Sequence, residues 1–380
     1  MKQLIVYGGI AVCGFALFSS CVSPASGRHG RAMLENVTVV PGGHCESSAI
    51  MNALRYEGYD VTECMITGGG GALDFSLQKG LFPFIGARNQ DMRERFFAAA
   101  NIGWQKRIPE GRETGWDEIA ELLGRGVPVV LRVDMRFLPY RYGGKYGRPE
   151  MSFGWHMITL FGVDWDAGLA YVSDTEYAGL QSIKILDLEK ARTSRTKNFP
   201  PRAEYYWAEP NVAPSGKLAA SWDSRELADA LARSSLDAVI GNYENGALEA
   251  LSRFGADLSG FDSFSDKSFL YPAVFEYMAG TIEDFGTGGA SFRVLYREFI
   301  SYATTNGSRP ELARLIPLLE GSIAELHALS SELRSASARV KSMSASGRRE
   351  EFARLGKIAD ALYEREKALY TEMKNLREGV

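Results

Sequence analysis

An extended apolar run, Val37 to Val40, breaks at Pro41-Gly42-Gly43, and beyond the break apolar residues recur at helical spacing through Ile50, Met51, Leu54 and Tyr56. This junction predicts a helix with Cys45 in its first turn. Unpaired backbone N–H groups and the macrodipole at a helix start favour an anion, and the thiolate is the reactive form of cysteine. Cys45 therefore fits a nucleophile. It also fits a small buried hydrophobe, the commoner fate of a free cysteine, and the stretch by itself leaves both readings open.

A chain of 380 residues exceeds one ordinary domain, so two are expected. Its 45% hydrophobic and 24% charged residues suit a sizeable core, and a net charge of −4 argues against a general nucleic-acid binder, so no nucleic-acid partner is expected. No metal-ligand spacing is visible, and no cofactor is expected. At the N-terminus, Met1-Lys2, an apolar run from Leu4 to Phe18 and Ser19-Ser20-Cys21 resemble a bacterial lipoprotein signal peptide. That resemblance implies removal of residues 1–20, lipidation of Cys21, attachment to a membrane through that lipid, and a place in the bacterial cell envelope. Cys45 and Cys64 would remain as thiols, with no disulfide framework.

Residues 21–32, rich in Ser, Pro, Gly and Arg, are expected to be a tether. Gly68-Gly69-Gly70-Gly71 permits close approach of a substrate, which makes Gly69 and Gly70 candidate binding positions. No Lys-Ser or Lys-Thr follows, so the run does not read as a phosphate loop. Trp116 to Gly124 is a short amphipathic helix and Val127 to Val133 a buried strand. Phe137 to Met151 is a long aromatic and basic loop of the kind that is often functional. Strands are expected at Trp155 to Val163, Leu169 to Val172 and Ser182 to Leu186. Beyond about Arg202 long helical patterns take over, with a kink expected at Pro317. The expected division is a domain over 33–200 and a helical domain over 201–380.

Four histidines can be weighed singly. His29 lies in the tether and His327 among helical leucines. His44 precedes Cys45, but adjacent residues do not face each other on a helix, which makes it a poor base for its neighbour. His156 opens the strand HMITLFGVD, and Asp174 ends the next one, so an antiparallel hairpin returns Asp174 beside His156. A cysteine site needs one imidazole nitrogen toward sulfur and the other held by an acceptor, which Cys45, His156 and Asp174 can supply.

This order resembles papain-like cysteine enzymes, including peptidases that trim bacteriocin leaders. More closely, His44, Cys45, Gly58, Glu63, Gly68 to Gly71, the strand His156 to Asp164 and Asp174 resemble the family of the N-terminal domain of butirosin biosynthesis protein H. Ile282 to Phe299 (IEDFGTGGASFRVLYREF) resembles the helical domain of unknown function that commonly follows it. The resemblance implies an α+β papain-like domain followed by an all-α domain, and acyl transfer through a cysteine thioester. The acyl donor would be a carrier protein or peptide, and the acceptor an amine or water. A cysteine peptidase or amidase with the same triad, and a surface lipoprotein that binds without turnover, are the alternatives.

Two departures stand out. Papain-like peptidases place a Gln before the nucleophile for the oxyanion hole; Val37 to Gly43 contains none, which leaves backbone N–H groups such as that of Cys45, or another side chain. Carrier proteins loaded with acyl groups are cytoplasmic, whereas a lipoprotein faces away from the cytoplasm. In the helical part, Arg293 and Arg297 share a face behind the Gly286–Gly289 turn. Arg293 is a candidate to hold an acyl donor or acceptor, against the plainer reading of a solvated arginine.

Overall fold

The computed structural model describes residues 29–80, 82–111, 113–143, 152–197, 199–209, 224–261 and 269–378. The expected signal peptide and the lipidated Cys21 lie outside them. Among the described residues no helix is long and apolar enough to cross a membrane.

An antiparallel sheet is built on β6 (His156–Asp164), whose first eight residues are all buried. Such a strand, apolar toward both faces, is stable only when both are covered. Along one edge β5 (Val129–Val133) pairs with its first half, setting Val133 opposite His156, and β1 (Arg31–Met33) pairs with its second half. The end of the expected tether is thus part of the sheet. On the other edge β7 (Leu169–Ser173) returns antiparallel, with β8 (Gln181–Lys184) beyond it. Past β5 the sheet continues through β9 (Tyr205–Ala208) to β4 (Trp104–Arg107).

One face of the sheet is covered by α4 (Trp116–Gly124) and α5 (Ile185–Thr193), through Trp116, Ile119, Leu122 and Leu188. The other receives α1 (Cys45–Tyr56), whose small Ala49 and Ala53 lie against Val130, Met157 and Tyr206. The Thr159 hydroxyl donates to Ala49 O at 2.7 Å and ties α1 to β6. The far side of α1 carries Ile50, Met51 and Leu54 into a larger core, so every residue from Ser47 to Leu54 is buried.

That larger core holds α2 (Glu63–Gly69), α3 (Met92–Ala99), the hairpin β2 (Leu73–Gln78) and β3 (Phe84–Arg88), and a helical layer. The layer comprises α6 (Ser224–Asn242), α7 (Leu248–Ser259), α8 (Tyr271–Glu283), α9 (Arg293–Asn306), α10 (Leu315–Arg339) and α11 (Ala345–Glu378). The expected boundary at 200 does not separate two cores: β9 lies past it in the sheet, and α1 and α2 share apolar packing with α6 and α9. Pro317 falls in the first turn of α10, where a missing N–H leaves no bond unmade, so the expected kink is a helix start.

Candidate active site

Cys45 is the first residue of α1, and His44, in extended conformation, is its N-cap. The Ser47 N–H donates to His44 Nδ1 at 3.3 Å. Glu63, at the start of α2, gathers donors from the entry and first turn of α1: Gly43 N–H at 2.7 Å, His44 N–H at 2.7 Å and the Ser47 hydroxyl at 2.8 Å. The chain wraps this closely because it carries glycine; a Cβ on Gly42 would lie 2.7 Å from Ser48 Cβ and 2.8 Å from a Glu63 oxygen. Burial raises the Glu63 carboxyl pKa against the pull of these bonds. The Cys45 N–H, in the first turn, has no intrahelical acceptor.

His156 starts β6, and Ser173 of β7 pairs with Thr159, so Asp174 leaves the sheet beside the histidine. His156 Nε2 and Asp174 Oδ1 are 2.8 Å apart. Asp174 Oδ1 also accepts the Thr175 N–H at 2.7 Å, and Oδ2 accepts Arg141 Nη1 at 2.7 Å and the Tyr140 hydroxyl at 3.0 Å. With Nε2 committed, Nδ1 is the nitrogen left for the partly exposed Cys45 thiol, which lies near enough to help raise the imidazole pKa. The sulfur also lies 4.0 Å from Trp155 O.

Burial alone would push the His156 imidazole toward neutrality. The Asp174 carboxylate, and then Cys45, outweigh it and hold the pKa up at about 9. For Asp174 burial is likewise the largest influence; His156 and Arg141 overcome it and keep the carboxyl well below the usual carboxylate range. His44 differs. Burial, then Arg88, then His156 push its imidazole well below the usual value, so its ring is neutral.

Cys45, His156 and Asp174 are thus brought together, whereas Gly69, Gly70 and Arg293 are not part of this cluster. All four glycines from Gly68 to Gly71 are buried. A Cβ would meet Phe299 of α9 at Gly68, Leu231 of α6 at Gly69, the Met92 carbonyl at Gly70 and Ala238 of α6 at Gly71. The close approach expected for a substrate is made by packed neighbours. Arg293 is fully buried; Nε and Nη2 meet the Glu366 carboxylate at 3.1 and 3.0 Å, and Nη1 donates to Ser291 O at 2.7 Å. Its guanidinium closes an ion pair in the core, which corrects both the substrate-binding and the solvated readings.

What Arg293 does hold is a strained loop. After Gly288 and Gly289, the non-glycine residues Ala290 (φ 45°), Ser291 (51°) and Phe292 (69°) are all left-handed. The Thr287 hydroxyl and the Ser291 N–H both donate to Ile282 O, at 2.9 and 2.8 Å, and stitch the loop to α8. The loop meets the cysteine's own segment. A Cβ on Gly43 would lie 2.8 Å from Gly288 Cα, and the Phe292 ring stands edge-on to His44 with centroids 5.1 Å apart.

Sequence reasoning missed Tyr140 and Arg141 as individuals, although both sit in the long loop it marked as functional. A shelf of aromatic rings adjoins the site: Trp155 lies 4.3 Å from Phe199 between centroids and takes the Arg132 guanidinium on its ring at 4.7 Å. Among the described residues no cluster of His, Cys, Asp and Glu has a metal-holding arrangement.

Residues 44–175 match the family described as butirosin biosynthesis protein H, N-terminal, and residues 186–373 match the domain of unknown function DUF4872. No curated protein matches the chain. The first match opens on the cap of α1 and closes one residue after Asp174, so it contains Cys45, His156 and Asp174. The segment that carries this cluster is therefore similar to the butirosin biosynthesis protein H N-terminal family, and the segment that follows it to the DUF4872 domain.

Proposed function

We propose that this chain transfers acyl groups through a thioester on Cys45. The Cys45 thiolate attacks the acyl carbonyl, and the imidazolium of His156 gives its Nδ1 proton to the leaving group as the carbonyl re-forms. The neutral imidazole then takes a proton from an incoming amine or water, which attacks the thioester and frees the sulfur. Asp174 keeps Nε2 occupied and balances the cation, while Arg141 and Tyr140 hold Asp174. The observation that carries the reading is a partly exposed cysteine at a helix start, beside a buried histidine that has one ring nitrogen held by a carboxylate at 2.8 Å.

An amine acceptor makes a transferase and water a hydrolase. The signal-like N-terminus supports a lipid-anchored protein of the cell envelope, where a peptide or small acyl donor is more accessible than a carrier protein. Incubation with an activated acyl ester, followed by mass analysis of peptides, should find the acyl group on Cys45 and none in Cys45→Ser. Acylation of Cys64 in place of Cys45, or of neither, sinks the reading. Product analysis with and without an added amine assigns the acceptor. For the anchor, wild type and Cys21→Ser should partition differently into detergent.

A further inference from the structure

The segment before the nucleophile lacks the glutamine that papain-like enzymes aim at the acyl oxygen, and His44, the N-cap of α1, stands next to Cys45. The Ser47 N–H points at Nδ1, as an N-cap acceptor requires. The Ser47 hydroxyl, 3.1 Å from Nδ1, suits either tautomer, and the N-cap bond from the Ser47 N–H selects the one with Nδ1 as acceptor and the proton on Nε2. Nδ1 makes all the hydrogen bonds of this ring with other described residues, through Ser47. Nε2–H is therefore an uncommitted donor on the residue next to the nucleophile, in a ring only 5% exposed.

The ring is held from the helical half. Phe292 packs edge-on against it, and at Gly286 (φ 72°) even an added Cβ would lie only 3.9 Å from His44 Cδ2, the atom bonded to Nε2. Arg293 bonds Ser291 O in the same loop. A helical domain that merely flanked the site would have no reason to hold three successive non-glycine residues left-handed against it.

We propose that His44 is an oxyanion donor of this site, its Nε2–H hydrogen-bonding the acyl oxygen together with the Cys45 N–H, and that Gly286 and Phe292 are positioning residues that keep the ring there. The proposal rests on Cys45 being the nucleophile. As the C–S bond forms, the carbonyl π pair moves onto oxygen and is stabilised by the two donors; His44 keeps its proton throughout. When the pair returns, the bond to the leaving group breaks, and that group takes its proton from His156. A neutral His44, enforced by its burial and by Arg88, supplies the donor without adding a cation beside His156.

Two reactions of one sulfur test this. Attack on p-nitrophenyl acetate passes through an oxyanion, whereas alkylation by iodoacetamide does not. In His44→Asn the side-chain oxygen still caps α1, but the shorter amide stops short of the position that Nε2 held; His44→Ser repeats the design with a second good cap and a still shorter side chain. Both variants of the full chain should acylate about 10²-fold more slowly, with alkylation of Cys45 within about two-fold of wild type. Phe292→Leu should lower acylation by a smaller factor and leave alkylation alone. Acylation at the wild-type rate in both cap variants overturns the proposal. So does an equal loss of both reactions, which would mean that the residue serves the thiolate or the helix start. Wild type alkylated first at Cys64 would sink the nucleophile itself, a result separate from either of these.

Discussion

Two buried carboxylates, one in each half of the molecule, are dressed with the same residue types. Asp174 meets Arg141 at 2.7 Å and Tyr140 at 3.0 Å; Glu366 meets Arg293 at 3.0 and 3.1 Å and the Tyr243 hydroxyl. Both side chains are fully enclosed. The difference lies in the second oxygen. In the helical half both Glu366 oxygens close on Arg293, and the cluster ends there. In the sheet half the free oxygen of Asp174 takes His156, whose other nitrogen opens on a partly exposed thiol. Closed, such a cluster is scaffold; left open at one valence toward solvent, it can do chemistry.

The sharpest way to break this comparison is to remove each opening in turn. His156→Ala should lower acylation of Cys45 by about 10³-fold or more while the fold survives, because Asp174 keeps Arg141. In Glu366→Gln the arginine is left buried without its counter-charge, which should cost about 3–5 kcal/mol in chemical denaturation while the alkylation rate per folded molecule is unchanged. Were Glu366→Gln to silence the thiol in protein that is still folded, the two clusters would not be scaffold and site.

The pH dependence of stability separates them again. His156 is held up at about 9, above its unfolded value near 6.5, so its contribution is complete below pH 6.5 and is lost as pH rises through about 9. The Glu366 carboxyl is held low by Arg293 against its burial, so its contribution is present above the unfolded carboxylate range and lost only on acidification. The melting temperature of wild type should therefore fall between pH 7 and 10, and His156→Gln should flatten that fall. An equal slope in the variant would assign the loss to another group.

Glu57, just past α1, supplies the smallest effect and the missing control, a buried carboxyl with neither oxygen hydrogen-bonded among the described residues. Burial pushes it up to about 8. Its folded value exceeds the unfolded one, so the stability it allows is present below about pH 4.5 and lost as pH rises through about 8. Glu57→Gln should melt with wild type at pH 4 and a few degrees higher above pH 8. No gain at high pH would mean that the carboxylate finds a partner when it ionises.

What could be read from the chain was local. The helix at Cys45 follows from an extended run, a Pro-Gly-Gly break and apolar spacing, all within about two turns. The pairing of His156 with Asp174 follows from two apolar, strand-like runs joined by a tight turn, which puts residues 18 apart side by side. The helical half announced itself through its period. Other assignments failed because periodicity names an apolar face without naming what covers it. Gly68 to Gly71 advertise a close approach, but only the folded chain shows α3, α6 and α9 making it. Arg293 looked solvated or ligand-facing because its counter-charge, Glu366, lies 73 residues away on another helix. The partners of the site itself, Glu63 on the cysteine's loop, Arg141 on Asp174 and Phe292 on His44, come from segments between 19 and about 250 residues distant, and such contacts are decided by packing in three dimensions.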